Sequence, residues 1–338
     1  MKKIRIAQIG ITHEHAAGKL ETLRRLSEVF EIAGVVDDIP TVHTPVFGNP
    51  ACFPWKEEPR LTLEQVLEDS SIEAVTVEMP NNECVPVALQ CMERGKAIHM
   101  DKPGGTDSAL YKKLLDGCQT RKLPFQIGYM FRGNPAMAFA LEAVAKGWLG
   151  NVVGVQASMI HDYGSADYQR YLSGFPGGII YNLGCHFIDF FIQLLGCPEK
   201  IASFLQDGPN AAAGSGNLAL TVFQYPHAIA TIRAFDQEPF GSRRVRIDGD
   251  MGLMEWMPVE RFDGHPLEVT LALREGNECY TAGWHQIPLG PVCDRYETQL
   301  LEFARVIRGE AQDSYTRQHD YDVHRAVLAA SGIRPWHK

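Results

Sequence analysis

Short runs of aliphatic and β-branched residues alternate with amphipathic helical patterns through the first 130 residues. Ile4 to Ile9 reads as a strand, Ala16, Leu20, Leu23 and Phe30 recur near helical spacing, and Ile32 to Val36 reads as a second strand. Thr62 and Gln65 predict a capping box opening a helix that carries Val66 and Leu67. Ala74 to Met79 is the next predicted strand, followed by a helix over Cys84 to Arg94 closed by Gly95. A strand over Ala97 to Met100 and a helix over Asp107 to Thr120 complete the series. Strands joined by single helices require right-handed crossovers, so the expected product is a doubly wound parallel sheet.

Near residue 150 the rhythm changes to longer alternating runs: Val152 to Ile160, Leu218 to Tyr225, Ala228 to Phe235, Arg244 to Asp248, Gly252 to Met257 and Glu268 to Leu273. Pro226 and His227 stand where a hairpin turn is needed. Helical patterns resume at Tyr296 to Ile307 and Tyr321 to Ala330. The predicted fold class is α/β, with a doubly wound parallel sheet in residues 1–125. A second α/β domain in residues 126–338 carries a large, mostly antiparallel, open-faced sheet. Length supports the division, because 338 residues exceed the roughly 250 to 300 at which one hydrophobic core stops growing.

Composition narrows the partners. There are 32 basic and 41 acidic residues, and both portions are acidic, so neither nucleic acid nor an anionic membrane surface is an expected partner. Arg5, Gln8 and Gly10 interrupt the apolar start before a signal-peptide core could form, and no apolar run reaches the roughly 20 residues of a bilayer span. The expected location is the cytoplasm. Eight scattered cysteines without a CxxC pair are expected to be reduced, buried small hydrophobes.

Three segments carry candidate chemistry. The first strand runs through Gly10, Thr12, His13 and His15 into a helix, where backbone N–H groups can hold a pyrophosphate. Only the first glycine of a G-x-G-x-x-G pattern is kept, so a plain strand-to-helix turn is the competing reading. Asp37, closing the second strand, stands where an acid would bind the adenosine ribose hydroxyls, which favours NAD and leaves NADP possible. His13-Glu14-His15 could chelate a metal, but the same strand-helix unit offers no third ligand, so none is expected.

Lys102, in Asp101-Lys102-Pro103 after the strand ending at Met100, is placed at the ligand-binding edge of such a sheet. There its ammonium could stabilise a developing alkoxide. Read as a helix, Asn182, His186, Asp189 and Gln193 form one polar stripe on an otherwise apolar rod. A lone buried histidine is usually a hydrogen-bonded core residue. Flanked by an amide and a carboxylate, His186 becomes a candidate acid–base.

Asp101-Lys102-Pro103, Met79-Pro80-Asn81-Asn82, Gly128-Tyr129 with Arg132, Gly147 to Gly150, the Gly177 to Asp189 segment, Arg246 to Gly249 and Ile307-Arg308-Gly309 together resemble the Gfo/Idh/MocA family over nearly the whole chain. The resemblance implies an NAD(P)-binding Rossmann domain with Gly10, Thr12, His13, Asp37, Pro80, Asn81 and Asp101 at the cofactor. It also implies oxidation of a carbinol of a sugar, polyol or cyclitol, with Lys102 matching the family lysine and Asn182 and His186 its aspartate–histidine pair. His161, Tyr163 and Arg170 fall where relatives place specificity loops, together with Asp162, Tyr168 and Tyr171. A homodimer or homotetramer is implied by the open sheet. Asn182 departs from the family's aspartate, which motivates an alternative: a ligand-sensing protein, or a lyase or epimerase using tightly bound NAD transiently.

Overall fold

A computed structural model describes residues 2–11, 13, 15–39, 54–292 and 294–337. In chain order the elements are β1 (Ile4–Ile9), α1 (Ala16–Arg25), β2 (Phe30–Val36), β3 (Arg60–Leu61), α2 (Leu63–Glu68), β4 (Ala74–Val77), α3 (Cys84–Glu93), β5 (Ala97–Met100), α4 (Ser108–Arg121) and β6 (Phe125–Ile127). There follow α5 (Pro135–Ala145), β7 (Val152–Ile160), α6 (Ala166–Ser173), a single π-helical turn (Ile180–Gly184) and α7 (Cys185–Leu195). The remainder comprises β8 (Lys200–Gln206), β9 (Leu218–Gln224), β10 (Ile229–Phe235), β11 (Arg244–Gly249), β12 (Gly252–Trp256), β13 (Pro266–Leu273), β14 (Gly283–Pro291), α8 (Glu297–Ile307) and α9 (Arg317–Ala330).

Two compact units result, residues 1–129 with 296–324, and residues 130–295 with 325–338. The sequence reading assigned everything after residue 125 to the second domain, whereas α8 and the start of α9 belong to the first unit. The reason is apolar: Tyr296, Leu300, Phe303 and Ala304 of the α8 region pack in one buried cluster with Ile4, Ile6, Leu23, Phe30, Ala74 and Ala97. An amphipathic helix forms only where its stripe finds such a partner.

The sheet of the first unit is ordered β3-β2-β1-β4-β5-β6 and every pairing is parallel. Strand order reverses between β1 and β4, and open α/β sheets bind ligands outside the carboxyl ends of the strands at that point. The predicted capping box is present: Thr62 Oγ1 accepts from the Gln65 amide at 3.1 Å while Gln65 Oε1 accepts from the Thr62 amide at 2.8 Å. Three buried polar residues, Lys19, His99 and Gln126, are linked by hydrogen bonds in this unit. His99 of β5 donates from Nδ1 to Gln126 Oε1 at 2.8 Å and accepts at Nε2 from the Lys19 ammonium at 2.6 Å. Burial, then the Lys19 charge, push the His99 imidazole down to about 3, so it stays neutral and keeps that tautomer.

The second unit is built on an eight-stranded sheet ordered β14-β13-β12-β11-β7-β10-β9-β8. Only β7 with β10 is parallel. β8 alternates exposed and half-buried residues along its whole length, as a strand with one solvated face does. The β9–β10 turn falls at the predicted Pro226 and His227, closed by the Tyr225 amide donating to the Ala228 carbonyl at 2.9 Å. α7 is buried on nearly every side, so its carboxylate needs an internal partner. Arg132 supplies it, donating from Nη2 and Nε to Asp189 at 2.7 and 3.0 Å, and Gln193 Nε2 donates to the same carboxylate at 2.8 Å.

Two stability predictions follow from these pairs. Arg132→Leu strands the buried Asp189 carboxylate and should cost about 3–5 kcal/mol, read from urea midpoints, with Gln193 unable to supply the lost charge. For His99, the unfolded chain takes up a proton below about pH 6.5 that the folded chain refuses until about pH 3. Its contribution is therefore complete above pH 6.5 and is lost as pH falls. The stability of the wild type relative to His99→Gln should drop by about 2 kcal/mol between pH 7 and pH 5. A pH-independent difference would show that His99 binds its proton equally well in the native and unfolded states.

Candidate functional site

At the end of β1 the chain turns through Gly10 at φ +92°, and a Cβ there would stand 2.6 Å from both the Glu78 carbonyl oxygen and Met79 Sδ. Glycine is thus required for conformation and for space. The turn is tied from below by Gln8, whose Nε2 donates to the carbonyls of Ala16 at 3.0 Å and Gly10 at 3.3 Å. The helix that follows, α1, begins after His15 with no side-chain cap on its first amides. Thr12, expected at the phosphates, lies outside the described residues.

Asp101, just past β5, organises this edge. Its Oδ1 accepts from the Lys102 amide at 2.7 Å, and its Oδ2 lies 2.6 Å from His13 Nδ1 and 2.9 Å from His15 Nδ1. All three side chains are buried. Burial alone would raise the Asp101 carboxyl, but the charges and hydrogen bonds of His13 and His15 hold it well below the usual carboxylate range. Burial outweighs the aspartate at His15 and takes that imidazole down to about 4. Glu78, at the end of β4, behaves oppositely. Burial, reinforced by the Asp101 charge against the opposing pull of Lys19, raises its carboxyl well above the ordinary value. The Lys19 ammonium stands 3.5 Å from Glu78 Oε1. Two adjacent carboxyls are thus shifted in opposite directions, Asp101 down and Glu78 up.

Of the expected cofactor residues, His13, Asn81 and Asp101 come together, with Asn81 Oδ1 accepting from His13 Nε2 at 3.3 Å. Pro80 is buried beside them in sequence, and Lys102, joined to Pro103 by a cis peptide bond, is fully buried. Asp37 stands apart at the end of β2, exposed and paired with Arg60 at 2.6 Å. The Gly10 cradle, the uncapped start of α1 and the acid closing β2 fit a dinucleotide: amides for the pyrophosphate and a carboxylate for the ribose.

In the second unit, Asn182 sits in the π-helical turn that leads into α7, a local widening frequent at functional sites. The turn alters the regular helical spacing assumed for the stripe from Asn182 to Gln193. Asn182 Nδ2 donates to the Tyr168 hydroxyl at 3.0 Å, and His186 is buried with its ring 5.0 Å from that of Phe131. Tyr168 lies on α6, a segment expected to be a specificity loop. Ser165 caps this helix by accepting from the Tyr168 amide. His161 stacks on Tyr163 at 3.6 Å, and the Tyr163 hydroxyl accepts from Arg243 at 2.5 Å. Arg170 is exposed and paired with Asp167 instead. Sequence reasoning missed Glu78, Lys19 and Arg132. A lysine on the apolar side of α1 and a glutamate inside an apolar strand were the available signals for the first two.

Comparison with known proteins is consistent over both units. Residues 4–129 match the family model for the oxidoreductase family with an NAD-binding Rossmann fold, and residues 137–255 match that for the GFO/IDH/MocA C-terminal domain. Trans-1,2-dihydrobenzene-1,2-diol dehydrogenase of Bos taurus is 23% identical over 58% of this chain and 60% of its own length. Levoglucosan dehydrogenase of Pseudarthrobacter phenanthrenivorans is 24% identical over 39% of this chain and 35% of its own. The matches thus span 60% and 35% of the lengths of these two relatives, less than two thirds of each. An oxidoreductase from Thermotoga maritima superposes with a TM-score of 0.75 at 20% identity, covering 99% of this chain and 97% of that one, which shows the common fold. With the two family models matched in order along the chain, this protein belongs to the GFO/IDH/MocA oxidoreductase family, and its first unit is that family's NAD-binding Rossmann fold.

Proposed function

We propose that the protein is an NAD-dependent dehydrogenase that oxidises a carbinol of a sugar, polyol or cyclitol. The observation that carries this reading is the carboxyl edge of the 3-2-1-4-5-6 sheet. There the glycine-only turn at Gly10 and the buried Lys102 stand at the ends of β1 and β5. The names of the two curated relatives, a diol dehydrogenase and a levoglucosan dehydrogenase, support a hydroxylated small-molecule substrate.

When bound, the nicotinamide supplies the hydride-accepting carbon. The chain's own residues are assigned the remaining work. Lys102 donates to the substrate oxygen and stabilises its developing negative charge. His186 takes the hydroxyl proton, and the Phe131 ring beside it excludes water from that face. Asn182 carries no charge, and with its Nδ2 donating to the Tyr168 hydroxyl it is assigned a positioning role beside His186. His161 and Tyr163, stacked and held by Arg243, are assigned to the substrate pocket, with Arg170 at its rim. The second sheet exposes Phe204 opposite Leu220, and this apolar pair supports self-association to a homodimer or homotetramer.

The uncharged Asn182 also favours a second reading, in which NAD is held tightly and used transiently by a lyase or epimerase, or not used for chemistry at all. Formation of NADH on a panel of sugars, polyols and cyclitols separates the two. Lys102→Ala and His186→Ala should each lower kcat by roughly 10²–10⁴-fold while NAD binding by calorimetry persists. Asn182→Asp should raise activity or move its pH optimum. NAD binding without net NADH from any panel member would support the second reading, and absence of any dinucleotide binding would remove both the dehydrogenase and the transient-NAD assignments.

Cofactor choice rests on Asp37. In the wild type, NAD should bind more tightly than NADP, because the 2′-phosphate would meet the Asp37 carboxylate. Asp37→Ser removes that repulsion and frees Arg60 for the phosphate. The ratio of the two dissociation constants, from fluorescence titration, should shift toward NADP by about tenfold or more, the scale of one charge-assisted hydrogen bond.

A further inference from the structure

His13 and His15 converge on one carboxylate oxygen of Asp101. His13 Nε2 donates to Asn81 Oδ1, while His13 Nδ1 lies 3.2 Å from the His15 backbone amide and 2.6 Å from Asp101 Oδ2. With the proton on Nε2, the neutral His13 ring and the carboxylate present Nδ1 and Oδ2 to the same point, where a cation would replace the hydrogen bond between them. His15 Nδ1 lies 2.9 Å from the same oxygen, and one ligand atom from each of the three residues lies within 4.8 Å of the other two.

We propose that His13, His15 and Asp101 hold one divalent transition-metal ion, zinc by the donor set, at the junction of the β1–α1 turn and the end of β5. Two imidazoles and one carboxylate are a recurring triad for such ions, and the arrangement leaves a position open for an external oxygen donor. The outer shell is in place as well. Asn81 fixes the His13 tautomer, and the Lys102 amide takes Asp101 Oδ1, which leaves Oδ2 for the ion. Coordination at about 2.0–2.2 Å needs ligand atoms roughly 3.3–3.6 Å apart, so these side chains open by about half an ångström each to take the ion. The chelating His-x-His pair was legible in the chain. Its third ligand was not, because Asp101 comes from a strand 86 residues beyond His15.

The test is cobalt(II) titration of the full chain after dialysis against EDTA, read by visible d–d absorption and by thermal shift. The expected result is one equivalent per chain with the band of a nitrogen- and oxygen-ligated site, displaced by zinc. In His15→Gln and Asp101→Asn, affinity should weaken on the order of 100-fold. No band and no thermal shift in the wild type would overturn the proposal by itself, whatever the variants do. Binding unchanged in a folded His15→Gln chain would overturn it equally. NAD binding is measured in parallel on the EDTA-treated chain: retained NAD binding without a metal site sinks this inference and leaves the dehydrogenase reading intact, and the reverse result does the opposite.

Discussion

Ionised groups cannot stay buried without partners, and this constraint shapes the first unit more than any other. Lys19, Glu78, His99, Asp101 and Lys102 are all fully or almost fully buried, and His13 and His15 nearly so. Isolated charges at such sites would cost several kcal/mol each. The chain avoids that cost by opposing shifts. The Glu78 carboxyl is pushed up and the Asp101 carboxyl down, while the imidazoles of His15 and His99 are pushed down to about 4 and about 3. The Lys19 ammonium sits 2.6 Å from His99 Nε2 and 3.5 Å from Glu78 Oε1. The functional edge of the sheet and its stability are therefore one network.

The same network explains how the nucleotide-binding turn tolerates a degraded glycine pattern. Gly10 is kept because a Cβ would strike the Glu78 carbonyl and Met79. Beyond it, the turn is held by side chains: Gln8 reaches the Gly10 and Ala16 carbonyls, and His13 and His15 are drawn to Asp101 across the sheet edge. Fixing the loop by polar contacts replaces the conformational freedom that further glycines would have supplied. It also makes the loop's shape depend on the state of one carboxylate.

Much of this fold was legible because it rests on local periodicity. The alternation of strand and helix to residue 121 and the Thr62 capping box depend on neighbours within four residues, which a sequence displays directly. α6 was hidden for a physical reason. Its polar residues, Asp167, Gln169 and Arg170, read as a loop, and its buried side, Tyr168, Gln169, Tyr171 and Leu172, is short and itself includes an amide. β14 was masked by Pro288, Gly290 and Pro291, residues that weaken strand patterns and are tolerated here because β14 is an edge strand. The pairings that decide chemistry were out of reach. Arg132 meets Asp189 across 57 positions and Asn182 meets Tyr168 through a π-helical turn that no periodicity forecasts.

That turn bears on what an asparagine can do in place of an aspartate. A carboxylate at position 182 would accept from the Tyr168 hydroxyl, whereas the amide donates to it. The direction of the hydrogen bond therefore reverses, and the tyrosine proton is left for another acceptor. Asp189 offers no substitute charge one turn further on, since Arg132 and Gln193 already engage it.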